Sequence, residues 1–255
     1  MTSQPSLNYL VTYRDESTWG KNAWLCYSDY EINNAHDVAA LFTEISASEI
    51  ARGVDNFYVE VLANDSAQLE EWFKLGFEIQ HVSAILNNFK SYPNTSDLLL
   101  RTPVEADLEA MAQLERELSI YQQGSPIFSM KEPEPLAEII DGWRKDLTND
   151  EFVKYVAEVN QKVVGFAYGC STEKSQLHSG QLRPKNSATL AFCTIDPGHR
   201  GRGIGKQLAA RVIEALFESG YENIVTDWRA TNPLASQAWP KLGFTPTMFR
   251  LHRKI

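Results

Sequence analysis

The stretch Asp196-Pro-Gly-His-Arg-Gly-Arg-Gly-Ile-Gly-Lys-Gln-Leu208 concentrates glycine and basic residues directly before a periodic apolar segment. Over residues 204–217 hydrophobic side chains recur at three- and four-residue spacing, which predicts one buried face of a helix. Upstream, residues 188–195 form a short apolar run with β-branched and aromatic members, which predicts a buried strand. The unit is therefore a strand, a glycine loop and a helix.

A glycine loop at the start of a helix suits an anion, because N–H groups without helical partners carry partial positive charge there. Arg200, Arg202 and Lys206 add positive charge to the same loop. A dinucleotide fingerprint would need a glycine at position 206 or 208, and a Walker-type phosphate loop would need one at position 200. The pattern that remains is an arginine, two residues, Gly203, one residue and Gly205.

This spacing resembles the pyrophosphate-binding motif of the GNAT superfamily of N-acetyltransferases. A second match follows at 232–244, where Asn-Pro-Leu-Ala opens a helix that ends in Lys-Leu-Gly-Phe. Residues 223–229, between the two motifs, predict another strand. The resemblance implies an α/β (α+β) fold with a mixed, mainly antiparallel sheet flanked by helices.

The resemblance also implies acetyl-CoA as cosubstrate, with its pyrophosphate on the N–H groups of residues 202–206 and its pantetheine arm beside residues 193–195. The cofactor contacts that follow from it are Cys193, Thr194, Ile195, Arg200, Gly201, Arg202, Gly203, Ile204, Gly205, Lys206, Asn232 and Trp239. Asn232 has a second interpretation, since an asparagine before a helix is also an ordinary N-cap.

Two catalytic candidates follow. Asp227 lies on the strand where some family members carry a glutamate base, although strand ends often carry solvated aspartates as well. A backbone N–H near Thr194 is the candidate donor to the negative charge that develops on the thioester oxygen. The position of the family's usual proton-donating tyrosine holds Trp239, whose indole is far too weak an acid, and Tyr221 and Tyr168 are loose substitutes.

The phrase Trp72-Phe-Lys-Leu-Gly-Phe77 recurs as Trp239-Pro-Lys-Leu-Gly-Phe244, within a similar order of strands and helices. We interpret this as a tandem duplication, with residues 1–92 as an incomplete copy and residues 97–255 as the catalytic domain. A helix C-cap glycine before a strand is the alternative explanation of the phrase. The first copy has no glycine at 33–38, and Asp65 stands where Asn232 would, so we expect it not to bind the cofactor.

Other elements of the second half are predicted from local signals. A helix capped by Thr102 starts at Pro103, a hairpin turns at Asn160-Gln161, and Pro240 ends its helix early. Residues 121–135 form an irregular loop. Its apolar side chains either contact the acceptor, as the resemblance implies, or anchor the loop on the core; they are Tyr121, Phe128 and Met130.

The composition excludes some functions. The net charge of the 255-residue chain is −9, which argues against a nucleic-acid surface, and no apolar run approaches a membrane span. Three widely spaced cysteines suit a reducing cytoplasm and give no metal-ligand spacing. We therefore expect a cytoplasmic enzyme without a metal. We expect its first domain to cover the acceptor groove or to form a homodimer surface.

The leading function is transfer of an acetyl group from acetyl-CoA to the primary amine of a small molecule or peptide. The alternative is an acyl-CoA-binding regulatory or interaction protein without turnover, because the tyrosine is missing and the first half is incomplete. A third function is transfer of a longer acyl group, for which the small side chains of Ala188 and Ala191 would have to widen the groove.

Overall fold

The computed structural model describes residues 9–27, 37–92, 98–129, 131–174 and 184–255. The helices are α1 (Glu16–Trp19), α2 (Asp37–Ala51), α3 (Ser66–Lys74), α4 (Leu108–Gln123), α5 (Leu136–Asp146), α6 (Ile204–Glu218) and α7 (Pro233–Lys241). The strands are β1 (Tyr9–Thr12), β2 (Asn22–Tyr27), β3 (Asn56–Leu62), β4 (Glu78–Leu86), β5 (Leu99–Arg101), β6 (Phe152–Val159), β7 (Lys162–Ser171), β8 (Ser187–Ile195), β9 (Asn223–Arg229) and β10 (Thr245–Lys254).

The chain forms two compact units, residues 1–83 together with 246–255, and residues 84–245. The sequence-based boundary at 92–97 assigned the end of the chain to the second domain, whereas the structure groups it with the first unit. No helix in the described parts of either unit is long and apolar enough to cross a membrane.

In the first unit the strand order is β1-β2-β3-β10-β4, with β2 and β3 parallel. The chain's last strand pairs antiparallel with β3, so that Met248 lies opposite Leu62. Helices α2 and α3 bury an aromatic cluster against one face of this sheet. Its rings meet edge to face, the favoured geometry of aromatic pairs, and belong to Phe42, Phe57, Trp72 and Phe77.

The other face of this sheet carries a ladder of stacked rings. Trp24, Tyr58 and His252 stack across three strands with centroids 4.6 Å apart at each step, and the Arg14 guanidinium lies 3.5 Å from the Trp24 ring centroid. Glu60 is partly buried beside this ladder. Burial raises its pKa although the charges of two nearby arginines oppose the rise. This face is therefore a packed layer of aromatic and charged groups.

In the second unit the strand order is β9-β8-β7-β6-β5, and all pairs are antiparallel except β8 with β9. Helices α4 and α5 cover one face, where Met111 and Trp143 pack with Phe166. Helix α6 covers the other face, since a Cβ added at Gly165 would lie 3.1 Å from Leu208. Successive strand residues point to opposite faces of the sheet. Gly165 of β7 therefore faces α6, and Phe166 faces α4 and α5.

Residues 16–19 form the short helix α1. Two local predictions differ from the structure. Helix α4 begins at Leu108 after a single 3₁₀ turn, because the Asp107 carboxylate accepts the Val104 N–H at 2.7 Å and caps this turn instead of Thr102. Pro240 lies inside α7, which ends one residue later at Lys241. In the last turn of a helix a proline removes one hydrogen bond without forcing the chain out of the helix.

An ion-pair network fixes the start of the second unit. The Arg101 guanidinium on β5 donates to both oxygens of Asp107 at 2.6 and 2.9 Å and to Glu158 of β6 at 2.8 Å. Asp107 is only 5% exposed. Arg101 lowers the pKa of Asp107 from its ordinary value of 3.8, and it is the largest cause of that shift.

Replacing Arg101 by alanine is expected to lower the free energy of unfolding by about 2 kcal/mol, because Asp107 would stay buried without its cation. A carboxyl group whose pKa is lowered by folding stabilises the fold above its unfolded pKa and loses that effect as the pH falls through the folded pKa. Urea denaturation should therefore give a large difference near pH 7 that shrinks below about pH 4. Arg144→Ala removes two exposed ion pairs, with Glu105 and Asp141, and is the control; an equal loss in both variants would contradict the prediction.

Candidate active site

The two parallel strands β8 and β9 separate part of the way along their length. Residues 187–189 of β8 pair with residues 223–225 of β9. Both strands continue beyond these pairs, but within the described residues no further register joins them. A bulge in β8 at Ala191 accompanies the separation, since the pairing with β7 passes from Phe192 directly to Leu190. The carboxyl-terminal halves of β8 and β9 therefore border an opening in the sheet.

The N–H groups of Cys193 and Ile195 point into this opening. The Asp196 N–H donates to Val164 of β7 at 2.8 Å, and the direction of backbone groups alternates along a strand. The N–H of Thr194 consequently points toward β7, where its register partner is Phe166. The Arg200 Nε donates to the carbonyl oxygen of Ile195 at 3.1 Å, which agrees with that carbonyl facing away from β7. The backbone donors near Thr194 that face the opening are therefore those of Cys193 and Ile195.

Gly203 forms the N-cap of α6 in the left-handed conformation, with φ at 81°. Its carbonyl oxygen accepts the N–H groups of Lys206 and Gln207 at 3.1 and 3.2 Å. The N–H groups of Ile204 and Gly205 come before these bonds, in the first turn of the helix. Backbone N–H groups of a first turn have no carbonyl acceptor within the helix. The start of this 15-residue helix therefore has the unpaired backbone N–H groups and the left-handed glycine cap that suit a phosphate.

The start of α6 lies close against the opening. A Cβ added at Gly205 would lie 3.3 Å from Ile195, and the Cys193 thiol lies 3.6 Å from the Gly205 carbonyl oxygen. The loop before the helix is held by Asp196, whose carboxylate accepts the Gly198 N–H at 2.9 Å and contacts the His199 ring at 3.0 Å. The bond to His199 is the largest cause of the lowered pKa of Asp196. The start of α6 and the opening between β8 and β9 therefore lie side by side.

Arg200 connects this surface to the end of α4. Besides its bond to Ile195, its guanidinium lies 4.9 Å from the centroid of the Tyr121 ring, a cation–π distance. We expected the charge of Arg200 to support the phosphate directly. In the structure its Nε joins the glycine loop to β8 and its guanidinium joins the loop to α4, and the contact with a phosphate stays a prediction.

Asp227 and Arg229 share one face of β9. Trp228 between them donates its Nε1–H to Ser236 of α7 at 3.1 Å, so the face of Asp227 and Arg229 is the opposite one, toward α4 and α5. Arg229 Nη2 donates to Ser129 Oγ at 3.1 Å, after the end of α4. We did not predict Ser129 or Arg229; the signal available was the charged pair at two-residue spacing at the end of an apolar strand.

The contacts of the second motif, residues 232–244, are mainly structural. Asn232 is buried and accepts the N–H groups of Leu234 and Ala235 through Oδ1 at 3.1 and 3.3 Å, so its N-cap interpretation is confirmed. Trp239 is partly exposed and packs edge to face on Phe244, with centroids 6.1 Å apart.

The two substitute tyrosines are poorly suited to donate a proton. Tyr168 stacks on Phe166 and Phe192, and burial raises its pKa further, which makes it a weaker acid. Tyr221 follows the end of α6, about 22 Å from the glycine loop at the other end of that helix. Met130, the third acceptor-contact candidate, lies outside the described residues.

The free thiols of the described residues are protonated at neutral pH. Burial raises the pKa of Cys193 to about 12 and also raises that of Cys170. A nucleophilic cysteine needs the thiolate form. The site therefore favours direct attack by an acceptor over a route through an acylated cysteine.

Comparison with known proteins agrees with this geometry. The model of the acetyltransferase (GNAT) family matches residues 114–244, about half of the chain. The β-lysine N6-acetyltransferase of Methanosarcina mazei is 28% identical over 149 residues, which are 58% of this chain and 46% of that protein. N-acetyltransferase 8B of Homo sapiens is 30% identical over 93 residues, 36% of this chain and 38% of that protein. The chain spans less than half the length of these curated relatives.

Two solved structures resemble almost the whole chain. A GCN5-related N-acetyltransferase from Sphaerobacter thermophilus aligns with a TM-score of 0.61 at 11% identity, over 96% of this chain and 76% of that one. Another from Kribbella flavida aligns with a TM-score of 0.57 at 13% identity, over 97% and 89%. At such identities the likeness concerns the fold, and it confirms the predicted α/β class with a mixed, mostly antiparallel sheet flanked by helices.

Proposed function

This chain belongs to the acetyltransferase (GNAT) family, and from that premise we propose that it transfers an acetyl group from acetyl-CoA directly to the primary amine of a small molecule or peptide. Acetyl-CoA is the cosubstrate of the family. The observation that carries the proposal is the opening between β8 and β9. It presents two outward N–H groups of β8 beside the glycine-capped start of α6.

Each part of the site has a separate role in this reaction. The first turn of α6 and the residues around Gly203 hold the pyrophosphate, and the N–H of Cys193 donates to the oxygen of the acetyl carbonyl. Acetyl-CoA supplies a thioester, so that a nitrogen–carbon bond forms as the carbon–sulfur bond breaks and coenzyme A leaves as its thiol. Asp227, on the α4 and α5 side, takes the proton that the amine loses.

We further propose that the first unit is a degenerate copy of the second. Helices α2 and α6, strands β3 and β9, and helices α3 and α7 have equal lengths, and each pair is displaced by the same 167 residues that separate position 72 from position 239. Strands β3 and β9 share the same alternation of buried and partly buried residues. This constant displacement, without insertion or deletion, supports duplication over a chance repeat of a helix cap.

The backbone hydrogen bonds repeat in the same way. Phe77 N–H donates to Trp72 and Phe244 N–H donates to Trp239, both at 3.2 Å. After α2 and α6, Gly53 and Gly220 have left-handed φ values of 90° and 92°.

The first unit has other residues at the cofactor positions. Asp65 caps α3 as Asn232 caps α7 and brings a negative charge. Residues 33–38 contain no glycine, and 33–36 lie outside the described residues. We therefore propose that only the second unit binds acetyl-CoA.

The second candidate function is an acyl-CoA-binding regulatory or interaction protein. It is favoured by Trp239, which occupies the position of the usual proton donor and packs on Phe244. The protonated CoA thiol can form with a proton from water, so the absence of that tyrosine does not by itself prevent turnover.

Calorimetric titration with acetyl-CoA, followed by a thiol-release assay with a panel of amines, tests the proposal. We expect binding of one equivalent and amine-dependent release of thiol. Binding without release for any amine or peptide N-terminus would favour the regulatory function, and absence of binding would contradict both.

A further inference from the structure

Phe128 has an unusual backbone conformation and an exposed ring. Its φ is 51°, in the left-handed region that bulky side chains avoid, and the residue is 67% exposed. A single exposed phenylalanine is ordinary on a protein surface, and a left-handed backbone is ordinary for glycine or asparagine. The combination in one phenylalanine needs a reason, because neither packing nor backbone preference favours it.

The surrounding backbone enforces this conformation. The N–H groups of Ile127 and Phe128 both donate to the Gly124 carbonyl oxygen at 3.0 Å, and the Ser129 N–H donates to Gln122 at 2.7 Å. Ile127 and Ser129 are buried on either side of Phe128. The chain is therefore fixed on both sides while the ring between them is directed outward. Unfavourable conformations that are held by their surroundings in this way concentrate at functional sites.

The loop 124–129 and the last turn of α4 before it contact the two borders of the candidate active site. Ser129 accepts Arg229 from β9, on the face that also carries Asp227. At the other end, Tyr121 in the last turn of α4 lies on Arg200 of the glycine loop. Phe128 is thus an exposed aromatic side chain of a loop that lies between Arg229, two residues after Asp227, and the helix whose Tyr121 contacts Arg200.

We propose that Phe128 determines the acceptor class, and that this class is primary amines with an apolar segment, aromatic or aliphatic, next to the amino group. This rests on the proposed acetyl transfer. The ring offers an apolar face to such a segment, and removing that contact from water favours binding in proportion to the area covered. A small or fully polar amine gains nothing from the ring.

The test compares 2-phenylethylamine with methylamine as acceptors in the thiol-release assay. Phe128→Asn removes the ring and introduces a side chain that tolerates the left-handed conformation. We expect kcat/KM for 2-phenylethylamine to fall roughly 10- to 30-fold, in line with the loss of one apolar pocket contact. In Phe128→Asn, kcat/KM for methylamine and the dissociation constant of acetyl-CoA should stay within about twofold of the wild-type values. The kcat/KM of Phe128→Leu for 2-phenylethylamine should lie between those of wild type and Phe128→Asn.

Phe73→Asn is the matched control, since Phe73 is an exposed phenylalanine of helix α3 outside this loop. It should leave both acceptors unchanged. An equal fall for the two amines in Phe128→Asn, or no fall, would overturn the inference while the acetyl transfer stands. Absence of thiol release from the wild-type protein with every amine would instead contradict the proposed function itself.

Discussion

Replacing Gly203 by aspartate is expected to weaken acetyl-CoA binding about 100-fold or more. The new carboxylate would stand at the N-cap of α6, where the pyrophosphate needs the helix N–H groups and positive potential. Two like charges about 4 to 5 Å apart near a protein surface repel by roughly 3 kcal/mol, which corresponds to about two decades in the dissociation constant. Calorimetric titration of the purified variant measures this directly.

Gly220→Asp is the matched control at the opposite end of the same helix. Gly220 also has a left-handed backbone, with φ at 92°, and an added Cβ there meets nothing within 4 Å. Both variants carry the same backbone strain and the same added charge. An aspartate stabilises a helix start and destabilises a helix end, so the control is the less stable of the two. Equal weakening in both variants, or none in Gly203→Asp, would contradict the phosphate role of this loop.

The local elements of the fold were largely predictable from the sequence. Strand β9 has the predicted bounds, and the hairpin turns at Asn160 and Gln161, with left-handed φ values of 49° and 62°. Such signals are short-range, because a turn or an apolar alternation is contained in a few neighbouring residues. The glycine loop at the start of α6 was predictable for the same reason.

Contacts between distant parts of the chain were not predictable in this way. Strand β10 pairs with β3, so that Met248 lies opposite Leu62. No local sequence pattern indicates which two strands will pair. The bond between Arg229 and Ser129 spans 100 residues. The contacts of Arg200 with Ile195 and Tyr121 were not predictable either, because the motif specifies a residue type at a spacing, whereas the direction of the side chain depends on where α4 ends.

Replacing Asp227 by asparagine is expected to lower kcat by about 100-fold or more while the affinity for acetyl-CoA stays unchanged. Asparagine keeps the size of the side chain but cannot take a proton from the amine, and a positioned base typically contributes two to four decades in rate. Because Asp227 lies on the face of β9 toward α4 and α5, the change leaves the backbone donors of β8 and the start of α6 intact.

The dependence on pH separates a lost base from a lost contact. An alkyl ammonium loses its proton near pH 10, so each unit of pH below that value lowers the fraction of neutral amine about tenfold. Without a base, the rate of Asp227→Asn depends on the fraction of neutral amine. The difference in kcat between the variant and wild type should therefore shrink as the pH rises from 7 to 9.5. A deficit that is constant across this range would instead indicate that Asp227 orients the acceptor.

Glu60→Gln supplies the internal control for this variant. Glu60 is displaced from Asp227 by the same 167 residues as the other paired positions and is, like Asp227, partly buried in its strand. Its pKa is raised by burial, so its charged form destabilises the fold as the pH rises, and the neutral glutamine should keep or slightly increase thermal stability near pH 7. Acetyl transfer should be unchanged. A loss of activity in Glu60→Gln comparable to that in Asp227→Asn would mean that the first unit takes part in the chemistry, contrary to its proposed degeneracy.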